Sequence, residues 1–166
     1  MATLRVSAGL LMYRIVSDGS VQVLLVHPGG PFFANRDDGA WSIPKGQAEP
    51  DEDLLTAARR EFREETGVVP AGPFIALTPV TQKGGKIVHA WAFEGDCDPA
   101  AIISNTFSLE WPPHSRQQVE FPEVDRADFF DVDTARRKII AAQADLIDEL
   151  EDLLTKQGEG RGLSSG

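Results

Sequence analysis

Residues 46–68, GQAEPDEDLLTAARREFREETGV, constrain the fold of this chain more than any other stretch. Pro50 and the three acidic residues after it are typical of a helix start, because negative charge is favourable at the N-terminal end of the helix dipole. Gly67 is typical of a helix end, since glycine readily adopts the left-handed conformation found there. The stretch therefore predicts one helix with acidic residues in its first turn.

One stripe of this predicted helix changes from apolar to acidic. Four residues that step by four, three and four positions share the stripe: Leu54, Ala58, Glu61 and Glu65. Glu64 lies beside it. Like charges at this spacing repel, and partly buried carboxylates need partners. A divalent cation is the simplest partner, since Mg²⁺ is commonly held by a few carboxylates and a substrate phosphate. The alternative interpretation is a solvated face neutralised by Arg60 and Arg63.

The same 23 of the 166 residues resemble the signature of the Nudix hydrolases. That signature is Gly, five residues, Glu, seven residues, Arg-Glu, an aliphatic residue, any residue, Glu-Glu, any residue, Gly and an aliphatic residue. Eight positions match it: Gly46, Glu52, Arg60, Glu61, Glu64, Glu65, Gly67 and Val68. Phe62 departs from the usual Leu, Ile or Val, and we expect it to be buried. The resemblance implies an α+β chain folded as an α/β/α sandwich with a mixed central sheet.

The resemblance also implies the residues of a catalytic site. Mg²⁺ or Mn²⁺ would be held by three carboxylates and one backbone carbonyl: Glu61, Glu64, Glu65 and the carbonyl of Lys45. Arg60 would pair with these carboxylates. Glu61 or a loop glutamate, Glu123, would take the proton, with Glu120 as the alternative loop residue. Three motif residues would have structural roles, one bracing a loop and two permitting bends: Glu52, Gly46 and Gly67.

Basic and aromatic residues near the signature are candidate substrate contacts. Phe32 and Phe33 beside Arg36 have the chemistry of a base and phosphate clamp, although local packing is the commoner role for such residues. The substrate contacts that we predict are Lys45, Arg36, Phe33, Lys83 and Lys86. The Pro44-Lys45-Gly46 segment resembles the dinucleoside polyphosphate hydrolase branch of the family. The single tyrosine, Tyr13, does not match the base-binding tyrosine that many of those enzymes carry after the signature.

These residues together predict a Nudix phosphoanhydride hydrolase, that is, a metal-dependent pyrophosphohydrolase that acts on a nucleoside diphosphate derivative. A dinucleoside polyphosphate such as diadenosine tetraphosphate is the first choice of substrate. The alternatives within the class are a nucleoside triphosphate and ADP-ribose or another nucleotide sugar. The alternative from another class is a non-catalytic regulatory module that binds a nucleotide, which loss of signature carboxylates would favour.

Composition limits the partners. The formal net charge of −10 argues against a nucleic-acid backbone or an anionic membrane as the main partner. A small nucleotide remains possible, because a bound cation reverses the local field. A single cysteine, Cys97, excludes an internal disulfide and a cysteine metal cluster. With no signal peptide and no apolar run long enough to cross a bilayer, we expect a cytoplasmic protein, monomeric or homodimeric.

The rest of the chain predicts one domain over residues 1–156. Alternating or apolar patterns predict strands at residues 7–16, 21–27, 74–81 and 87–93, the first two as a hairpin. An amphipathic helix is predicted at residues 133–154, broken near Ala142, to cover the sheet or to dimerise. Residues 157–166 are rich in glycine and serine, which predicts a disordered tail.

Overall fold

The computed structural model describes the backbone of residues 6–164 and the side chains of residues 6–157. Within that range the chain forms nine strands and three α-helices. The strands are β1 Val6–Ile15, β2 Val21–Pro28, β3 Lys45–Gln47, β4 Ile75–Ala76, β5 Val80–Thr81, β6 Ile87–Glu94, β7 Thr106–Glu110, β8 Gln118–Pro122 and β9 Val124–Asp131. The helices are α1 Leu54–Thr66, α2 Val132–Lys138 and α3 Ala144–Ser164.

The central sheet is mixed, as predicted. Its strand order is β4-β6-β1-β2-β9, while β3 pairs with β1 and β5 pairs with β6. Strands β1 and β6 run parallel, and the other pairs of this sheet are antiparallel. The predicted hairpin of β1 and β2 is confirmed. Strands β7 and β8 form a separate two-stranded sheet beside the main one.

Helices cover both faces of this sheet, because successive side chains of a strand point to opposite faces. Leu10 and Met12 of β1 pack in the cluster that contains Phe62 of α1. Leu11 lies in the opposite cluster, with apolar side chains of α2 and α3. Phe62 is fully buried, as expected, which contributes about 1.5–3 kcal/mol of apolar transfer free energy. The predicted α/β/α sandwich is confirmed.

The predicted break in the C-terminal helix is also present. Helix α2 ends at Lys138, and the buried, extended residue Ile139 bridges to Trp41. The buried side-chain amide of Gln143 then accepts a hydrogen bond from the backbone N–H of Ile43, 3.0 Å away. The break therefore ties the C-terminal layer to the segment that leads into β3.

Three local expectations need correction or remain open. Helix α1 begins at Leu54, so the acidic residues 51–53 precede its first turn, which contains no acid. Residues 74–81 form two short strands separated at Pro79, because proline lacks the N–H that a continuous strand would use. Helix α3 continues to Ser164; the boundary at residue 156 and the disorder of residues 157–166 stay predictions, and residues 165–166 lie outside the described chain.

Across the described residues, none of the helices has both the length and the apolar character needed to cross a lipid bilayer.

Candidate active site

Both ends of α1 are capped, which fixes the position of its acidic face. The Asp53 side chain accepts a hydrogen bond from the backbone N–H of Thr56, 3.1 Å away. Gly67 adopts a left-handed conformation with φ of 77°, and its N–H donates to the carbonyl of Arg63 at 2.7 Å. These are the ordinary N-terminal and C-terminal caps of a helix. The helix end predicted at Gly67 is confirmed.

A pocket of about 430 Å³ opens beside this acidic face. Its walls come from the ends of β2 and β3, from α1, from β7 and from the connection between β8 and β9. The residues that line it are Pro28, Gly29, Lys45, Gly46, Gln47, Glu61, Glu65, Phe107 and Glu123. The pocket thus combines three carboxyl groups, one ammonium group and one aromatic ring.

Arg60 organises the carboxylates at the edge of the pocket. Its guanidinium makes two hydrogen bonds of 2.9 Å to the carboxylate of Glu52, a bidentate pair. Its Nη1 also donates to Glu61 at 2.8 Å and to Glu64 at 3.3 Å. Through the hydrogen bonds to Arg60, the pKa of Glu52 is lowered to about 2. Glu52 and Arg60 thus brace the segment before α1 against the acidic face.

Three carboxyl groups of the pocket have raised pKa values, and burial is the main cause for each. The pKa of Glu65 is raised to about 8, although its carboxylate accepts a 2.9 Å hydrogen bond from the backbone N–H of Lys45. Burial also raises the pKa of Glu61 and of Glu123. Desolvation disfavours the charged form of an acid, so this pocket favours a ligand that brings positive charge.

Gly46 lets the backbone of β3 approach the acidic helix closely. A Cβ at this position would overlap the Glu61 carboxylate. The φ angle of Gly46 is not positive, so glycine is required here by space and not by backbone conformation.

Glu123 reaches the pocket because the backbone of Asn105 links its segment to α1. The Asn105 N–H donates to the carbonyl of Glu64 at 2.9 Å, and the Asn105 carbonyl accepts the N–H of Glu123 at 2.8 Å. The Glu64 carbonyl is near the C-terminal end of α1, where carbonyl groups lack partners within the helix. Glu120, the alternative loop residue, lies on β8 and is exposed. The structure therefore brings Glu123, and not Glu120, to the carboxylate cluster.

The predicted cationic contacts divide into two groups. Lys45 lines the pocket, and burial together with the neighbouring ammonium of Lys86 lowers the pKa of Lys45 to about 8. Lys83 is exposed in a short 3-10 turn, outside the pocket lining. Arg36 and Phe33 also lie outside the lining, with the guanidinium 5.8 Å from the ring centroid. The predicted pairing of Arg36 with an aromatic ring forms, but away from the carboxylates.

Phe107 is the pocket residue that sequence reasoning missed. It lies on β7, and its ring packs directly against Gly30. A Cβ at Gly30 would be only 2.9 Å from Cζ of the Phe107 ring. The alternation of residues 106–110 indicates a strand, but no local pattern places that strand beside residues 28–30. The contact arises from tertiary packing.

The donor chemistry of the pocket fits a divalent cation, because carboxylate oxygens are the ligands that hard cations prefer. In the part of the chain that the structure describes, no group of three or more Asp, Glu, His or Cys side chains is arranged to hold a metal ion. Glu61 and Glu64 accept hydrogen bonds from Arg60, while Glu65 accepts one from the Lys45 N–H. These carboxylates would have to turn toward one another to bind an ion.

The fold and this pocket together define a class: an α/β/α sandwich in which a carboxylate-rich helix faces a lysine in one pocket. The chain belongs to the Nudix family, since the family model described as NUDIX domain matches residues 4–150. The predicted membership of this family of pyrophosphohydrolases is confirmed. Nudix hydrolases generally use divalent metal ions.

Solved structures of the family share the fold. The crystal structure of a binary complex of the Caenorhabditis elegans Ap4A hydrolase superimposes with a TM-score of 0.65 at 22% sequence identity, covering 92% of this chain and 99% of that chain. The NUDIX domain of Shewanella oneidensis NrtR, in complex with ADP ribose, superimposes with a TM-score of 0.64 at 18% identity, covering 93% of this chain and 90% of that chain.

A curated relative matches a shorter segment more closely. An RNA pyrophosphohydrolase of Caulobacter vibrioides is 43% identical to this chain over 54 residues. The match covers 30% of this chain and 31% of that protein, so it spans about a third of either length.

Proposed function

We propose that this protein hydrolyses a phosphoanhydride bond of a nucleoside diphosphate derivative in a reaction that depends on a divalent cation. The observation that carries the proposal is the mixed charge of the pocket. Glu61, Glu65 and Glu123 line it together with the ammonium group of Lys45. Carboxylates suit a metal ion and an ammonium group suits phosphate oxygens, so the pocket supplies partners for both components of a metal–phosphate complex.

The cation in this proposal is Mg²⁺ or Mn²⁺. Four groups would hold it: the carboxylates of Glu61, Glu64 and Glu65 and the backbone carbonyl of Lys45. When bound, the cation supplies positive charge for the phosphate oxygens and makes the attacking water more acidic. Arg60 keeps Glu61 and Glu64 on the same side of α1 through its hydrogen bonds to both.

The chain's own cations would hold the phosphate groups. Phosphoryl transfer depends mainly on charge neutralisation and on alignment of the nucleophile. Lys45 lies in the pocket and Lys86 lies beside it. Since a bound phosphate group favours the charged form of a lysine, substrate would oppose the effect of burial and raise the pKa of Lys45 again.

Glu123 is the proposed general base, with Glu61 as the alternative. A base that works near neutral pH benefits from a pKa above the ordinary value of a carboxylic acid. Burial raises the pKa of Glu123, and repulsion by Glu64 raises it further. The backbone N–H of Glu123 donates a hydrogen bond to Asn105, and its backbone carbonyl accepts one from Gly29. These two hydrogen bonds fix the position of the Glu123 Cα, from which the side chain extends.

A dinucleoside polyphosphate such as diadenosine tetraphosphate is the first choice of substrate. Phe107 provides an aromatic wall to the pocket that suits a nucleobase, and the Pro44-Lys45-Gly46 segment resembles that branch of the family. Tyr13 is buried among the residues that face α2 and α3, so it is not the base-binding tyrosine. The Ap4A hydrolase of C. elegans is one of the proteins with the same fold.

The 5′ end of an RNA is a second candidate substrate, because the 54-residue match is to an RNA pyrophosphohydrolase. The net charge of −10 opposes contact with a long polyanion, so only the terminal nucleotides would enter the pocket. ADP-ribose and nucleoside triphosphates remain further candidates within the class. We also propose that the protein is cytoplasmic.

A hydrolysis screen tests the proposal. The purified protein is incubated with Mg²⁺ or Mn²⁺ and with dinucleoside polyphosphates, nucleoside triphosphates, nucleotide sugars, diphosphoinositols and 5′-triphosphorylated RNA. Products are identified by mass, and ¹⁸O-labelled water identifies the bond that is cleaved. We expect cleavage that stops when the metal is chelated. If none of these compounds is cleaved while nucleotides bind measurably, the protein is a nucleotide-binding module and the proposal fails.

A further inference from the structure

His27 is a buried polar residue near the end of β2, after the four apolar residues 23–26. Its side chain is 0% exposed. Its Nδ1 atom lies 2.7 Å from Oδ1 of Asp125, and its Nε2 atom lies 2.6 Å from the backbone carbonyl oxygen of Arg36. The ring also meets the edge of Trp41, with ring centroids 5.3 Å apart. Both ring nitrogens therefore have a partner, as buried polar groups require.

The two partners of the ring are both hydrogen-bond acceptors. A carbonyl oxygen only accepts hydrogen bonds, so Nε2 must donate to Arg36. A carboxylate also accepts, so a second proton must lie between Nδ1 and Asp125. The ring of His27 is therefore joined to both partners at once, through Nδ1 to the Asp125 side chain and through Nε2 to the Arg36 backbone. Arg126 is 3.9 Å from the same Asp125 oxygen, too far to replace His27 as a donor.

Both partners of His27 belong to segments that reach the pocket. Asp125 follows Glu123 by two residues. The N–H of Gly29, two residues after His27, donates to the carbonyl of Glu123 at 2.9 Å. The approach of these segments is close, since a Cβ at Gly29 would overlap the carbonyl oxygen of Pro122. The end of β2 thus contacts the residue before Glu123, through Gly29 and Pro122, and the chain after it, through His27 and Asp125.

The second partner, Arg36, anchors the connection between β2 and the signature. The backbone carbonyl of Arg36 is hydrogen-bonded to the buried ring of His27. The same connection continues through Trp41 and Ile43 into β3, which carries Lys45. His27 therefore joins two segments that contribute pocket residues and that are distant in the sequence.

We propose that His27, through Asp125, is a positioning residue that sets the placement of Glu123 in the pocket. The inference rests on the proposed function, because it acts through the Glu123 carboxylate. An apolar side chain would fill the same space, but it would not bond both segments. His27 touches no pocket residue that reacts, so its effect on turnover arises from geometry alone.

Asp125 variants test the proposal with the least risk to folding, because the Asp125 side chain is 32% exposed. Asp125→Ala removes the acceptor, while Asp125→Asn keeps an oxygen acceptor for Nδ1–H. Asp128→Ala is the matched control, an exposed aspartate of the same strand. We expect Asp125→Ala to lower kcat about tenfold with little change in KM, the size of effect seen for residues that orient a reactive group. Asp125→Asn should recover most of this loss, and Asp128→Ala should have none.

A double-mutant cycle with Glu123→Gln separates positioning from general destabilisation. If Asp125 acts through Glu123, Asp125→Ala should lower kcat less than about twofold in the Glu123→Gln background. The ring itself is followed by ¹⁵N NMR of the imidazole nitrogens in the intact protein. We expect two protonated, slowly exchanging ring nitrogens for His27, with protection of Nδ1–H lost in Asp125→Ala.

The outcomes distinguish this inference from the proposed function. An active wild type whose kcat falls with Glu123→Gln but not with Asp125→Ala overturns the inference alone. Equal loss from Asp125→Ala in both backgrounds, or a His27 ring with an unprotonated Nδ1, also overturns it. An inactive wild type overturns the proposed function, and an active wild type that is indifferent to Glu123→Gln overturns the assignment of Glu123 together with this inference.

Discussion

Two arginines of this protein each bond three carboxylates, one at the pocket and one on the opposite helical layer. Arg60 pairs with Glu52, Glu61 and Glu64. Arg136 pairs with Asp133, Asp148 and Glu151. The partners of Arg60 have side-chain exposures of 13, 13 and 35%, whereas those of Arg136 have 95, 51 and 46%. The two networks have the same chemistry and differ in their access to water.

That difference in burial separates a candidate site from a surface contact. At the pocket, water cannot fully solvate the acids, so Glu61 keeps a raised pKa although Arg60 is beside it. On the surface, the acids around Arg136 are solvated, and the network only joins α2 to α3. In this protein, a cluster of charged side chains therefore indicates a candidate site only where the side chains are also partly buried, as they are around Arg60.

The largest effect should come from the carboxylates that we propose as ligands of the cation. Glu65→Gln, or Glu64→Gln beside it, should lower kcat at least about a hundredfold, because it removes a carboxylate that the proposed cation requires. Glu65→Gln should also leave the protein folded, and more stable without metal, since burial disfavours the charged form of Glu65. The measurements are steady-state kinetics on the substrate found in the screen and thermal unfolding with a chelator present.

Glu151→Gln is the matched control, because it changes the same side chain in the exposed network. It should leave kcat unchanged. Full activity in Glu65→Gln and Glu64→Gln would show that the assignment of the metal ligands is wrong.

The second effect concerns the space beside Glu61. Gly46→Ala puts a methyl group where the Glu61 carboxylate lies, so that side chain or the backbone of β3 must move. We expect kcat to fall by about tenfold or more and the protein to unfold at a lower temperature. In a Glu61→Ala background the clash is absent, and Gly46→Ala should no longer lower stability. If stability falls equally in both backgrounds, the clash with Glu61 is not the cause.

Much of the pocket could be predicted from the sequence, because it depends on one helix. The spacing of Glu61 and Glu65 along α1 and the position of Gly67 are local properties of a periodic segment. The apolar pattern of β1, β2 and β6 likewise predicted the strands of the central sheet. The topology of the sheet followed from the family resemblance, since strand order and direction are not encoded in local periodicity.

The parts that could not be predicted depend on contacts between distant segments. Phe107 enters the pocket because β7 packs beside Gly30, and residues 118–122 become a strand only because β7 pairs with them. Arg36 has the residue type of a phosphate contact, yet its connection is directed by the bond between its carbonyl and His27, so it lies outside the pocket. Such placements depend on tertiary packing between distant segments, and the local pattern of a single sequence does not reveal which segments will pack together.

A smaller effect is expected when the partly buried Arg60 is replaced. Arg60→Met keeps the length of the side chain but leaves Glu52 and Glu61 without their partner. Removing one member of a buried ion pair costs about 3–5 kcal/mol, and partial exposure of Arg60 reduces our expectation to roughly 1–3 kcal/mol. Urea unfolding measures this loss, and kinetics should show a fall in kcat. A variant as stable and as active as the wild type would mean that Arg60 does not organise the carboxylates.

The smallest effect should come from the same substitution in the exposed network. Arg136→Met should change the free energy of unfolding by less than about 1 kcal/mol, because exposed ion pairs contribute little. In 1 M salt, where the Debye length is about 3 Å, the difference between Arg136→Met and the wild type should shrink further, whereas the loss in Arg60→Met should persist. Turnover should be unchanged, since this network lies on α2 and α3 and away from the pocket. Urea unfolding at low and high salt measures both variants together, and equal losses with equal salt dependence would show that burial does not distinguish the two networks.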